Sequence, residues 1–225
     1  MKEGKVAAVL ITFNRLKLLK ELLSGVRNQS RKPDEIIVVN NGSTDGSTEW
    51  LQQQEDITLI NQSNVGSSGG QYTGIKAAYD LGYEWIWTMD DDVEPRPDCL
   101  GNLMQNKDKN LIRAPLRYTI EKKPYLNDAI SYNINNPFMS FWNEVLSVKH
   151  LKKSLIKADG ITFEGPIMHR SVIDKIGLPE KKFFIYADDT EFFLRAWQAG
   201  FDIGIVRDAI LDRKLPVPDA RAGFT

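Results

Sequence analysis

The chain has little cysteine. Cys99 is the only one among 225 residues, so neither an intrachain disulfide nor a CxxC metal clip can form. A reducing compartment is the natural setting. Histidine is nearly as scarce, with only His150 and His169. No HExxH spacing, Cys/His pair or GxSxG turn occurs, which leaves zinc hydrolysis and serine or cysteine nucleophile chemistry without apparatus. Charge of one sign is missing as well. Lys and Arg number 29 against 30 Asp and Glu, a formal net charge of -1, whereas bulk binding to nucleic acid needs a basic surplus. Long hydrophobic runs are absent near the start: Val6 to Ile11 is far short of the roughly 20 residues that span a bilayer. Residues 1–12 show no leader of signal-peptide length. The expectation is a cytoplasmic chain with no nucleic-acid partner, with peripheral contact at the inner face of a membrane left open.

What is present is ordinary globular material. Hydrophobic residues make up 42% and charged residues 26%, which excludes disorder, collagen and coiled coil as overall descriptions. A chain of this length buries roughly three-quarters of its unfolded surface, so it needs no staples.

The first 115 residues alternate strand and helix patterns. Lys5 to Phe13 predicts a strand buried on both faces. Leu16, Leu18, Leu19, Leu22, Leu23 and Val26 then repeat at helical spacing. Strands are predicted at 35–39, 58–60, 85–89 and 111–114, and helices at 47–54 and 71–81, with a loop over 61–69 before the second of these. Pro95 and Pro97 suit the start of another helix. Such alternation predicts an α/β fold with a mostly parallel sheet flanked by helices. Function in these sheets lies beyond the carboxyl ends of the strands. The stretch 116–159 breaks the rhythm and predicts an insertion, rich in Asn, Lys and aromatics that include Phe138, Phe141 and Trp142. The pattern returns with a helix at 170–176 closed by Gly177, a strand-like run at 183–186, a helix at 188–199 closed by Gly200 and a last strand at 202–206.

Each motif has two readings. Asp90, Asp91 and Asp92 directly follow an apolar strand, where carboxylates repel one another. The cluster is either a solvated acidic turn or the seat of Mg²⁺ or Mn²⁺, which suit oxygen ligands. The glycine-rich run from Asn64 to Gly74 is neither a P-loop nor GxGxxG. It is either a flexible connection or a source of backbone N–H groups for phosphate. Asp188 with Glu191 makes a capping box at a helix start, a reading that leaves Asp189 free for a cleft. Lys149, Lys152, Lys153 and Lys157 form a basic run, either a solvated face or a lipid-phosphate contact.

Taken in order, these segments resemble family 2 glycosyltransferases with the GT-A fold, a single Rossmann-like domain. The resemblance runs from Val6 to about Val206. It rests on Val9–Arg15, Val38–Ser47, Asn64–Gly66 with the glycines after it, Thr88–Asp92 as the DxD motif, and Phe184–Phe192 as the acidic acceptor motif. Gly69–Gly70, the triple Asp and the Asp-Asp-x-Glu-Phe form are most similar to the galactofuranosyltransferase and rhamnosyltransferase branches. The resemblance implies inverting transfer from a UDP- or dTDP-sugar donor to a saccharide or lipid-linked glycan acceptor, with residues 1–115 binding the nucleotide sugar and 116–225 holding the insertion and acceptor half. Thr12, Asn14, Arg15 and Asn41 would line the base pocket, joined on the nucleotide-sugar side by Asn64 and Gly70. Asp90 and Asp91 would face ribose and diphosphate. Asp92, with Asp90 in reach, would hold Mn²⁺ or Mg²⁺. Asp189 would be the general base, with Asp188 at the acceptor. Apart from the resemblance, the aromatic Trp142 in its Asn-rich insertion reads either as an acceptor-covering surface or as part of a small satellite core.

Two departures accompany it. Relatives usually carry at least one Asp where this chain has Asn40-Asn41. They often supply a metal-ligating His after the last strand, and here Asp212 falls near that place. Competing readings are a nucleotidyltransferase, whose basic glycine-rich first turn is missing from Thr12–Arg15, and an inactive sugar-nucleotide-binding domain.

Overall fold

The computed structural model describes residues 4–105, 110–127, 129–134, 136, 138, 140–144, 146–184 and 187–216, with only the backbone of Trp142. The elements run β1 (Val6–Thr12), α1 (Leu16–Arg27), β2 (Glu35–Asn40), α2 (Ser47–Leu51), β3 (Thr58–Asn61), α3 (Gly66–Asp80), β4 (Trp85–Asp90), β5 (Val93–Pro95), α4 (Cys99–Gln105) and β6 (Ile112–Tyr118). Then come β7 (Ile130–Tyr132), β8 (Trp142–Glu144), β9 (Leu155–Ala158), β10 (Ile167–His169), α5 (Arg170–Ile176), α6 (Asp188–Gln198) and β11 (Ile203–Arg213), with short 3₁₀ turns at Val148–Lys152 and Lys181–Phe183.

One sheet organises the molecule, in the order β3-β2-β1-β4-β10-β6-β11-β5, with β9 also paired to β11. Strands β1, β2, β3, β4, β6 and β11 run one way, and β5, β9 and β10 run against them. The carboxyl ends of β1, β2 and β4 therefore meet on one rim.

Alternation along β1 explains both faces of the core. Ala7, Val9 and Ile11 pack with Ile75 and Ala78 of α3 on one side. Val6, Ala8 and Leu10 pack with Leu19, Leu22, Leu23 and Val26 of α1 on the other. The α1 residues recur at i, i+3, i+4 and i+7, the spacing of a single helical stripe. Burying each such side chain is worth about 1.5–3 kcal/mol.

Several boundaries differ from the sequence expectations, each for a physical reason. Helix α3 starts at Gly66, so the glycine-rich run is helical rather than a loop. A Cβ on Gly70 would lie 2.7 Å from Ile11 Cγ2. The glycines let α3 press onto β1, and that packing outweighs their poor helix propensity of about 1 kcal/mol each. The run at 183–184 is not a strand: Phe183 ends a 3₁₀ turn and Phe184 has φ 61°, while 185–186 lie outside the described residues. Strand β11 extends to Arg213, where a strand to 206 was expected, because it gains β5 as a second partner beyond a bulge between Val206 and Ile210. The irregular stretch 116–159 contains a small β7–β8 hairpin and contributes β9 to the main sheet. Among the described residues, no helix is long and apolar enough to cross a membrane.

Candidate active site

A cleft of about 560 Å³ opens at the rim where β1, β2 and β4 end. It draws on both halves of the chain. The acidic triplet after β4 faces the first turns of α3 and α6 and the end of β11. A larger hollow, about 720 Å³, runs along residues 150–157 and is lined by lysines with no carboxylate.

Asp91 is tied to the end of β1. The Thr12 hydroxyl donates to its Oδ2 at 2.8 Å, the Phe13 N–H to the same oxygen at 3.3 Å, and Arg15 Nη1 to Oδ1 at 3.0 Å. Arg15 also reaches Asp92 Oδ2 at 3.4 Å. Thr12 and Arg15, expected in a base pocket, are thus engaged with the acidic cluster. Asp91 serves as the brace that fixes β1 to β4.

Asp90 and Asp92 are less neutralised. Asp90 accepts from Gln71 Nε2 at 3.1 Å, and Gln71 is in turn held by the Thr88 hydroxyl. Burial, then Asp92, Glu164 and Asp91, push Asp90 well above the usual carboxylate range. Burial and then Glu164 raise Asp92 as well. Carboxylates that raise one another are stabilised by a cation placed among them. Among the described residues no group of three or more Asp, Glu, His or Cys forms a full metal cage. Mg²⁺ and Mn²⁺ need only one or two carboxylates plus substrate phosphates, and the oxygen-only pair Asp90 and Asp92 fits that demand.

The residues expected at the nucleotide side fall into two groups. Asn41 and Asn64 line the cleft, but the Asn41 amide and the Asn64 Oδ1 are occupied. Asn41 Nδ2 donates to Asn64 Oδ1 at 3.2 Å and to the Gly66 carbonyl at 3.0 Å, while its Oδ1 accepts from Gln62 and the Val65 N–H. That explains Asn here in place of Asp: a carboxylate could not donate to the Gly66 carbonyl. Asn14 sits at the rim with φ 54°, its Oδ1 accepting from the Thr44 N–H at 2.6 Å. Gly70 faces β1 rather than the cleft, and Gly66 and Ser67 line the cleft in its place.

Helix α6 opens differently from a capping box. Its N-cap is Ala187 in the left-handed region, with no side-chain cap, and Asp188 and Asp189 are its first helical residues. Glu191 turns forward to pair with Arg195. The acids at 188 and 189 are therefore not consumed by capping, and both line the cleft. Asp189 Oδ1 accepts from the Thr190 N–H at 2.6 Å. Burial, then the neighbouring Asp188, push Asp189 up to about 6.

Asp212 does not join the acidic centre. Its carboxylate is taken by Arg96 at 2.9 and 3.1 Å and by Lys122 at 3.2 Å. Along a strand successive side chains point to opposite faces, so it is Arg213 that reaches the cleft. Trp142 lies in β8 opposite Tyr132, and its side chain is outside the described residues. Of its neighbours, Phe138 is exposed and Phe141 packs on the Tyr132 ring at 5.7 Å.

Sequence reasoning missed Glu164, Arg213 and Gln71. Glu164 is half-buried beside the triplet and pairs with Arg117 and with Arg213. Burial pushes its carboxyl up, but the two guanidinium groups outweigh this and hold it below the usual range. A signal existed: Glu164 is the sole charged residue between Asp159 and His169.

Comparisons with known proteins bear on the family and the fold. The sequence profile described as "Glycosyl transferase family 2" matches residues 7–177. The chain is 28% identical over 214 residues to galactofuranosyltransferase GlfT1 of Mycolicibacterium smegmatis, covering 88% of this chain and 67% of the relative. It is 23% identical over 212 residues to the O-antigen chain rhamnosyltransferase RfbN of Salmonella typhimurium, covering 92% and 65%. The fold superposes on GalNAc-T7, crystallised with UDP, GalNAc and Mn²⁺, with a TM-score of 0.77 at 13% identity over 96% of this chain and 45% of that one. S. aureus TarS 1-349 in complex with UDP gives 0.68 at 14% identity over 92% and 60%. The chain thus spans about two thirds of GlfT1 and less than half of the GalNAc-T7 chain. The α/β fold is that of the GT-A glycosyltransferases, and the match over residues 7–177 identifies the chain as a member of glycosyl transferase family 2.

Proposed function

We propose that this chain transfers a sugar, galactofuranose or rhamnose, from a nucleoside diphosphate donor to a hydroxyl of a saccharide or lipid-linked glycan, with inversion at the anomeric carbon, in the synthesis of cell-surface polysaccharide. The carrying observation is that Asp189, with its carboxyl raised to about 6, shares one cleft with the mutually repelling pair Asp90 and Asp92. UDP or dTDP is the favoured donor base, and the likeness to GlfT1 and RfbN supports the two sugars named.

Asp189 accepts the proton of the attacking hydroxyl as the new C–O bond forms and the bond to the diphosphate oxygen breaks. A base of this kind contributes about 10²–10⁴-fold. Asp188 beside it orients the acceptor. Asp90 and Asp92 hold Mn²⁺ or Mg²⁺, which when bound offsets the charge gathering on the departing diphosphate. Asp91, locked to Thr12 and Arg15, keeps the triplet in register with β1. No covalent intermediate is needed, consistent with the scarcity of nucleophiles noted above.

A donor screen tests this. Melting curves with UDP-, dTDP- and GDP-sugars, each with and without Mn²⁺, should show dose-dependent stabilisation by one donor class. The anomeric configuration of the product, read by NMR, tests inversion. No stabilisation by any nucleotide sugar would sink the proposal.

A further inference from the structure

Arg213 has more hydrogen-bonding capacity than its described neighbours use. It ends β11 in the cleft and is buried. Its Nη1 donates to both oxygens of Glu164, at 3.1 and 2.9 Å. Its Nε is buried and finds no hydrogen-bond partner among the described residues. A buried donor left unmet is costly, and a charged one more so. Such a group is suited to an anion brought in by a ligand.

Position says which anion. Arg213 stands opposite Val93 in the β5–β11 pairing, and the next residue, Lys214, donates its N–H to the Asp92 carbonyl at 2.8 Å. The guanidinium is therefore next to the acidic pair, where a diphosphate would lie. Glu164 also keeps Arg117 as a partner, so redirecting one arm of Arg213 does not strand it. The Tyr125 ring, 5.8 Å from Arg213 and 5.3 Å from Arg117, holds both guanidinium planes. A planar fork with spare donors matches phosphate oxygens better than a point charge does.

We propose that Arg213 contacts the diphosphate of the donor as a second, protein-borne cation, giving it a foothold that does not depend on the divalent ion. This rests on the nucleoside diphosphate reading above. Glu164 is the resting partner of one arm of this guanidinium.

The test is calorimetry with UDP and with uridine, each in Mn²⁺ and in EDTA. Wild type should prefer UDP over uridine even in EDTA. Arg213→Gln should lower UDP affinity in EDTA by about 10–100-fold, the span expected for hydrogen bonds to a charged group, and leave uridine affinity unchanged. Arg213→Lys should fall between, and uridine binding shows that each variant is folded. Glu164→Gln leaves the guanidinium in place, so UDP affinity should hold or rise. If Arg213 merely braced Glu164, both Gln variants would lose affinity together. UDP binding by wild type that vanishes in EDTA, or an unchanged UDP-to-uridine preference in Arg213→Gln, would overturn this inference and leave the donor reading standing. No UDP binding even in Mn²⁺ would overturn both.

Discussion

Gly66 and Phe184 meet backbone to backbone: a β-carbon on Gly66 would overlap the Phe184 carbonyl. That carbonyl accepts from the Ser68 N–H at 3.2 Å, and the Ser68 hydroxyl donates to the Glu180 carbonyl at 2.7 Å. The segment leading into α6 is thereby pinned to the first turn of α3, and Asp188 and Asp189 follow directly from it.

Gly66→Ala should break this contact. The position has φ +79°, already unfavourable for alanine, and the added methyl has no room. We expect a loss of about 2–4 kcal/mol, combining backbone strain with overpacking, and a fall in turnover larger than the fall in nucleotide affinity. Melting curves and steady-state kinetics on the variant check both.

Asp189→Asn should hold or raise the melting temperature at neutral pH, because the amide removes the burial and Asp188 penalties that lift this carboxyl, and should lower kcat by about 10²–10⁴-fold. Wild-type turnover should rise with pH through about 6 as Asp189 ionises, and that limb should disappear in the variant. The sign for stability is opposite. A carboxyl raised by folding stabilises the protein below its unfolded pKa, and this contribution is lost as pH rises through the folded value. A well-folded variant with near-normal turnover would remove Asp189 from the chemistry.

Asp90→Asn should stabilise the protein in EDTA, because Asp90 is raised by burial and by Asp92 and a neutral amide removes that repulsion. A gain of a few degrees is expected, roughly 2–4 °C per kcal/mol at this size. Asp92→Ala should abolish any strengthening of UDP binding by Mn²⁺. Equal affinity with and without the ion in wild type would count against a metal at this pair.

Asp212→Ala should behave in the opposite way. It releases Arg96 and Lys122, which are 39% and 62% exposed and can be solvated, so stability should drop by only about 0–1 kcal/mol, while Mn²⁺-dependent UDP binding stays unchanged. Metal titration of the variant decides between the ion-pair role and the ligand role implied by its place in the sequence.

The parts of the fold that could be read in advance were those with local causes. Val6–Thr12 is apolar throughout and α1 carries its stripe at helical spacing, so both were plain. The acidic triplet stood out because it abuts an apolar strand. Local pattern places the start of α3 five residues late because glycine argues against helix, whereas the reason for Gly70 lies in Ile11, far along the chain. Strand β11 was cut short because Asp208, Asp212 and Arg213 look like loop residues until Arg96 and Glu164 are seen beside two of them. Glu164 and Arg213 gain meaning only from each other, 49 residues apart, and no local pattern carries that.

The three partners of β11 bear on how the chain assembles. Its first half pairs with β9 and its end with β5, while β6 runs along the opposite edge. The acidic triplet is thus synthesised more than a hundred residues before the strand that completes its surroundings. Contacts of such sequence separation form slowly, because loop closure must precede them. On the ribosome, the triplet has Arg15 from the start, but it and its β5 turn wait for Arg213 until nearly the whole described chain has emerged. A chain stopped before Ile203 would hold the acids but lack both β11 and Arg213, so the contact proposed for Arg213 arrives only with that strand.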